Sequence, residues 1–278
     1  MRIAFSLTCL MALTQVCSSQ QTTLSIAQTY FQEGKYELAL SELDRPSSPD
    51  DMFLMADCFH KMEQFQEALE AYNEAESLGY AEESLLLHRG ICRVSIADFE
   101  RAETDLLTYF HANPEDEKAH YYLGVIDYML YNNRESMFHL NRAIQINPDY
   151  MEAIYLKAAN LAEMGKHEDS MEAFAKCDKL RPEFSITKLN MAVNYIEMKD
   201  YFNAETLLTQ LINTDADCLA EALYYRGWIY YAQRQMSKAC EDWFATTKLG
   251  HFEGTNSYTE VCENKSKTKR KQHTIVAF

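Results

Sequence analysis

The chain has 278 residues and carries 26 Lys and Arg against 42 Asp and Glu, a formal net charge of −16. Only 5 Pro and 8 Gly occur, which fits a mostly helical chain with few sharp turns. The acidity argues against a nucleic-acid binder, which needs a basic face to displace counterions, and favours a neutral or basic partner.

The first residues, MRIAFSLTCLMALTQVCSSQ, read as an export signal. Arg2 gives a positive start. Ile3 to Leu13 form an apolar stretch too short to span a bilayer as a mature helix. Val16-Cys17-Ser18-Ser19 offers compact residues for cleavage after Ser18 or Ser19. Residues 1–19 are therefore read as a signal peptide and the protein as exported: periplasmic, cell-envelope or secreted. An N-terminal helix retained in the fold is the bland alternative. A lipid-bearing Cys17 is another, although Val16 is larger than the Gly, Ala or Ser that lipoprotein signals resemble there. No later run of 18 apolar residues occurs, so no transmembrane span is expected in the mature chain. Export makes disulfides chemically accessible to Cys58, Cys92, Cys177, Cys218, Cys240 and Cys262.

Self-comparison uncovers an internal repeat. FERAETDLLTYFHANP (99–114), NRESMFHLNRAIQINP (133–148) and HEDSMEAFAKCDKLRP (167–182) align, and Pro114, Pro148 and Pro182 are 34 residues apart. Gly90, Gly124 and Ala158 repeat at the same spacing upstream. The unit is two helices closed by a proline that cannot continue the second. Small residues in register let the two helices approach closely, and one large residue fills the space beside them. A heptad coiled coil would not repeat at this period with small residues in register.

The period and pattern resemble the tetratricopeptide repeat. Its position 8 is Ala27, Ala56, Gly90, Gly124, Ala158, Ala192 and Gly227. Its position 20 is Ala39, Ala68, Ala102, Ser136, Ser170, Ala204 and Ala239. Its position 24 is Leu43, Tyr72, Leu106, Leu140, Phe174, Leu208 and Trp243. The resemblance implies an all-α, right-handed α-solenoid of about seven helix-turn-helix units. These fall at about 20–48, 49–82, 83–116, 117–150, 151–184, 185–219 and 220–252, with a capping helix at 253–263. The first unit is short and closes at Arg45-Pro46-Ser47-Ser48-Pro49. Units one, two, six and seven lack the closing proline.

No catalytic motif is present: no G-x-x-x-x-G-K-[ST], H-E-x-x-H, G-x-S-x-G or C-x-x-C. An enzyme, a cofactor and a metal site are not expected. His111 and His120 flank the loop ANPEDEKA, but no second close ligand supports a metal there. The resemblance instead implies a protein-interaction scaffold or adaptor whose first helices line a concave groove for a protein or peptide partner. The groove positions yield Tyr121, Tyr128, Tyr155, Tyr224, Trp228 and Tyr231, with aliphatic companions such as Val125, Leu189, Val193 and Ile196. Aromatics there offer contact area with a polar handle, and packing between repeats is the competing explanation. The Lys and Asn of carboxylate-clamp members are absent: those positions hold Tyr121 and Val125, Tyr155 and Ala159, Leu189 and Val193. A structural subunit of a cell-envelope assembly is the alternative role.

The end of the array, KACEDWFATTKLGHFEGTNSYTEVC, is similar to the endings of secreted tetratricopeptide proteins of Bacteroidota-type bacteria, which close A-C-x-D-W, L-G and Cys. Thr246 stands where those endings have Ala, which loosens the expected last packing. Cys240 and Cys262 each lie 11 residues from His251, so a helical hairpin places them opposite each other. They are read as a disulfide holding the cap; two free thiols are the alternative. Residues 264–278, NKSKTKRKQHTIVAF, carry five basic residues and no acid, whereas 20–263 carry 20 basic and 42 acidic, a formal −22. A solvated, disordered tail is expected. The alternatives are a basic arm on anionic lipid or one folded back on the acidic body.

Overall fold

The computed structural model describes residues 23–44, 46, 48–214 and 217–263. The expected signal peptide at 1–19 and the expected tail at 264–278 lie outside these residues. The chain divides into two compact units, one ending at Ile146 and the other starting at Asn147. Each is all-α, a solenoid of paired helices. The first contains α1 (residues 23–32), α2 (Tyr36–Glu42), α3 (Pro49–Lys61), α4 (Phe65–Ser77), α5 (Ser84–Ser95), α6 (Phe99–Ala112), α7 (Glu117–Met129) and α8 (Asn133–Ile146). The second contains α9 (Met151–Glu163), α10 (His167–Leu180), α11 (Ser185–Glu197), α12 (Tyr201–Asn213), α13 (Leu219–Ala232), α14 (Met236–Lys248) and the short α15 (Phe252–Tyr258). A π-helical turn, Thr259–Glu263, follows α15.

Helix ends follow local chemistry. Ser48 and Asp51 form a reciprocal capping box at the start of α3, with Pro49 in the first turn, so the irregular first junction still launches a well-capped helix. The Asp116 side chain accepts from the amides of Lys118 and Ala119 at the start of α7. Helices α6, α8 and α10 stop at Ala112, Ile146 and Leu180, two residues before Pro114, Pro148 and Pro182. A proline disfavours helical geometry in the residue before it, which accounts for that offset.

Each pair closes around the three registered positions. Every alanine and serine at position 20 is fully buried, and the large residues at position 24 are at most 3% exposed. Glycine at position 8 is a steric requirement: an added Cβ would sit 2.8 Å from Leu106 Cγ at Gly90 and 2.6 Å from Trp243 Nε1 at Gly227. Where position 20 is serine, the hydroxyl donates to the position-8 carbonyl: Ser136 to Gly124 at 2.8 Å and Ser170 to Ala158 at 2.7 Å. The buried polar atom is thereby satisfied without widening the helix contact.

The turns inside the pairs carry a second register. Gly34, Glu63, Ala97, Tyr131, Gly165, Lys199 and Arg234 all have positive φ, between 60° and 72°. The next residue closes each helix by donating its amide N–H to the carbonyl five back, as from Asp98 to Arg93 at 2.9 Å and from Lys166 to Leu161 at 2.9 Å. Five of the seven pay the left-handed strain of an L-residue. Ala97→Gly is expected to raise stability by roughly 0.5–1 kcal/mol, the relieved strain exceeding the added chain entropy. A denaturant titration showing Ala97→Gly to be less stable than the parent would contradict this.

Two repeats share a buried ion pair. Arg89 grips Asp105 through Nε–Oδ2 at 2.8 Å and Nη2–Oδ1 at 2.9 Å. Arg226 grips Asp242 in the same fork, at 2.9 and 2.8 Å. In both, the arginine precedes the position-8 glycine and the aspartate precedes the position-24 residue. Arg89 also reaches Glu76 at 2.6 Å on the preceding pair, so it joins neighbouring repeats.

In the first unit α7 and α8 bring two histidines together, with His120 Nδ1 3.1 Å from His139 Nδ1. His120 Nε2 lies 3.2 Å from the Pro114 carbonyl, and the Phe110 ring stands edge-on to both imidazoles. Burial holds both rings neutral, pushing His139 down to about 4, with His120 as the next cause. Arg142 also disfavours charge on His120, while Pro114, Glu115 and Asp116 oppose that effect. An unfolded histidine titrates near 6.5, so the unfolded chain takes up protons that the fold refuses between about pH 6.5 and 4. Stability should be unaffected above this window and fall as pH drops through it. The expected loss is on the order of 1–2 kcal/mol after allowing for solvent screening. Urea titrations at pH 7 and 5 should show a smaller pH effect for His139→Gln; equal pH effects would contradict the assignment.

The second unit ends in the cap. Cys240 and Cys262 form a disulfide, with Cα atoms 5.8 Å apart. Thr246, expected to loosen this packing, is fully buried. It fits because Gly254 of α15 has no side chain: a Cβ there would fall 2.0 Å from Thr246 Oγ1. The larger threonine is thus matched by a missing methyl on the partner helix. Among the described residues the other thiols, Cys58, Cys92, Cys177 and Cys218, are buried and unpaired with one another. Burial pushes Cys58 and Cys92 up to about 12, which keeps them protonated and inert.

Candidate functional site

The six aromatic groove candidates do not share one environment. In the first unit Tyr121 and Tyr128 are half-buried on α7, and Tyr121 packs edge-on against its neighbour Tyr122 at 4.9 Å. In the second unit Tyr155 is taken up by packing. Its ring lies edge-on to Phe174 and Phe184, and its hydroxyl accepts from Asn190 at 2.7 Å. Tyr231 packs against the core indole of Trp243, with ring centroids 5.6 Å apart, in the cluster that also takes up Tyr258, Val261 and Cys262 of the cap.

Tyr224 and Trp228 do come together. With Tyr225 of α13 and Val193, Ile196 and Glu197 of α11 they line a cavity of about 190 Å³. The pattern has a helical origin. Val193, Ile196 and Glu197 are i, i+3 and i+4 on α11, while Tyr224, Tyr225 and Trp228 are i, i+1 and i+4 on α13. Leu189, Ala192 and Ile196 anchor α11 in the core beneath, and the Tyr201 ring braces Trp228 edge-on at 6.3 Å. The far wall is fixed by the cap: Tyr224 packs on His251 at 5.2 Å, and its carbonyl accepts from Trp243 Nε1 at 3.2 Å. His251 in turn accepts from the Gly254 amide through Nδ1.

The cavity is mainly apolar, with one acid and no Lys or Arg in its lining. Burial keeps the Tyr224 and Tyr225 phenols protonated, so both hydroxyls remain neutral hydrogen-bonding groups. Glu253, Glu221 and Glu197 add negative potential around Tyr225. About 190 Å³ is below the roughly 300–1,000 Å³ of small-molecule sites, and suits one or two apolar side chains of a peptide better than a cofactor. Sequence reading missed Tyr225 and Glu197. Helical spacing is the signal that finds them: Glu197 follows Val193 by four on α11, and Tyr225 precedes Trp228 by three on α13.

A polar cluster in the first unit is different in kind. Asp57 Oδ1 accepts from the Tyr72 hydroxyl at 2.6 Å and lies 2.8 Å from His88 Nδ1. His60 Nδ1 is 3.4 Å from the same hydroxyl, and Phe53 stacks between Tyr80 and His88. The cluster ties α3, α4 and α5 together. Among the described residues no group of three or more His, Cys, Asp or Glu is placed to hold a metal ion. Nor is any described helix long and apolar enough to cross a membrane.

Comparison with known proteins agrees with the repeat register. Residues 152–184, and residues 187–217 and 221–243, match two family models described as tetratricopeptide repeat. Residues 7–75 match the model for subunit 3 of the anaphase-promoting complex, cyclosome. A curated relative is anaphase-promoting complex subunit 3 of Schizosaccharomyces pombe, 24% identical over 166 residues. That alignment covers 60% of this chain and only 25% of the relative. Among solved structures, a tetratricopeptide repeat protein from Parabacteroides merdae superposes with a TM-score of 0.63 at 20% identity, covering 88% of this chain and 98% of that one. The C-terminal part of a repeat-containing protein from Cytophaga hutchinsonii gives 0.59 at 15% identity, covering 88% and 97%. PilF of Pseudomonas aeruginosa gives 0.60 at 17%, covering 71% and 92%. At these identities the structures show a shared fold. With the helix pairs, the buried small-residue register and the matched segments all in agreement, the chain is a tetratricopeptide-repeat protein.

Proposed function

We propose that this chain is an exported, non-catalytic interaction scaffold that binds a partner segment on the first-helix face of repeats six and seven. The observation carrying this reading is the apolar cavity in which Tyr224 and Trp228 meet Val193 and Ile196. Its size admits a side-chain anchor, and its acidic surroundings favour basic residues beside that anchor. The test is a peptide array probed with the mature protein and with a Tyr224→Ala/Trp228→Ala variant. Peptides with an apolar residue flanked by Lys or Arg should be retained by the parent and lost by the variant. Equal retention by both would overturn the groove.

The match to a subunit of a multi-protein complex favours a second role, as a structural subunit of an assembly. In an exported protein this would be a cell-envelope assembly, with Cys17 as the lipid anchor. Mass spectrometry of the mature N-terminus decides it. An unmodified Ser19 or Gln20 start would exclude the anchor, and an uncleaved Met1 would exclude export by this signal.

A further inference from the structure

The cavity beside Trp228 is lined by three aromatic side chains, one carboxylate and no Lys or Arg. That composition suits an organic cation. The faces of aromatic rings carry partial negative charge and attract a positive group placed over them, the more so where water is excluded. We propose that the α11–α13 cavity binds a trimethylammonium group, with Tyr224, Tyr225 and Trp228 as its aromatic walls and Glu197 as its counter-charge. This rests on the reading of the cavity as the site that holds a partner's anchor, and it names that anchor. A trimethylammonium group carries its charge inside an apolar methyl shell, so one group meets both the apolar lining and the acidic surroundings.

Three observations carry it. First, ring arrangement: the Tyr224 and Tyr225 rings stand at 60° to each other with centroids 5.2 Å apart, so they form a corner and not a flat wall. Trp228 follows one helical turn after Tyr224 and is braced edge-on by Tyr201. Second, charge: Glu197 lines the cavity, and Glu221 of α13 and Glu253 of α15 act on Tyr225. The sole basic residue of each helix is committed elsewhere. Lys188 of α11 pairs with Asp178 at 2.8 Å, and Arg226 of α13 grips Asp242 at 2.9 and 2.8 Å. Neither helix therefore supplies a cation to the acidic cavity. Third, polarity: a primary ammonium is strongly hydrated and has three N–H donors to satisfy. The lining offers it only two phenols and the carboxylate of Glu197, an exposed residue. A quaternary ammonium has no N–H, so resting its methyl groups on Val193 and Ile196 leaves no donor unpaired. A volume of about 190 Å³ suits such a branched group at the end of a side chain or of a small amine better than a drug-sized ligand.

The test titrates the full mature chain with two matched pairs of probes. One pair is choline and its neutral isostere 3,3-dimethyl-1-butanol. The other is a short peptide carrying one trimethyllysine and the same peptide with a tert-butyl group in place of the trimethylammonium. Binding is read from tryptophan emission, in which Trp228 responds and Trp243, only 2% exposed, gives a constant background. At least one cationic probe should bind, at least tenfold more tightly than its isostere, and Glu197→Gln should remove several-fold of that preference without changing the affinity of the isostere. Glu197 is exposed, so this variant should fold as the parent does. A trimethyllysine peptide much tighter than choline assigns the group to a partner's side chain; equal affinities assign it to a free amine. Isosteres that bind as tightly as the cations, or a preference that Glu197→Gln leaves intact, would overturn the proposal. If no cationic probe binds while array peptides still require Tyr224 and Trp228, this inference fails and the peptide site stands. If array peptides bind without requiring those residues, the peptide site itself fails.

Discussion

Asp105→Ala should destabilise the first unit by about 3–5 kcal/mol, because it leaves buried cationic groups without their carboxylate. Arg89 and Asp105 have side chains only 7% and 6% exposed, and Arg93 reaches the same carboxylate at 2.6 Å. Glu76 remains on Arg89, but its side chain is 53% exposed and offers a solvated counter-charge in place of the buried fork. The matched change on an exposed pair, Glu115→Ala opposite Arg142, should cost less than about 1 kcal/mol. The double variant Arg89→Met/Asp105→Leu should recover most of the loss, since an apolar pair is often no worse than a buried ion pair. Denaturant titrations of the four proteins check this. Equal costs at Asp105 and Glu115, or a double variant no better than Asp105→Ala, would contradict it.

The second large effect is at the cap. Replacing Cys240 and Cys262 by serine opens a loop with a sequence separation of 22. Loop-closure entropy puts the loss at about 3 kcal/mol. It should appear locally first, as faster amide exchange in α15 and the turn after it, because α15 is a short helix held by Gly254 on Thr246 and by the disulfide. Tyr224 packs on His251, so loosening the cap should also weaken the cavity wall. Unchanged stability with full protection of α15 would mean that noncovalent packing alone holds the cap.

The repeat architecture was legible because the residues that specify it are the ones that must be small or large. Ala102 and Ser136 are fully buried, and Leu106 and Leu140 fill what Gly90 and Gly124 leave open, so spacing alone exposes them. The left-handed turn register was hidden. Glu63, Ala97, Tyr131, Lys199 and Arg234 sit where glycine would have announced it. The Arg89–Asp105 fork was hidden for another reason: it recurs at Arg226–Asp242 but in no consecutive repeat, so self-comparison dilutes it. His120 and His139 meet only because the α7–α8 hairpin joins residues 19 apart.

The proposed binding face was legible in part. Helical spacing placed Tyr224 and Trp228 on one face, and the structure gives them one cavity. The same spacing could not distinguish them from Tyr155 and Tyr231, whose rings reach Phe174 and Trp243 of their own repeats. Periodicity gives the direction of a side chain. Whether a ring of that length meets a neighbour or open space depends on what the next helix presents. Opposite Tyr224 and Trp228, α11 presents the modest Val193 and the exposed Glu197, and the space stays open.

One titration bears most directly on the binding face. The affinity of an array-selected peptide, apolar with basic flanks, is measured for the mature chain and for Trp228→Ala, with melting curves recorded on both. A loss of at least tenfold in affinity, with the variant lower in melting temperature but still fully folded at the temperature of the titration, is the predicted result, as for an aromatic at the centre of a binding site. Equal affinity in the two proteins would contradict the claim that this cavity is where the scaffold takes hold of its partner.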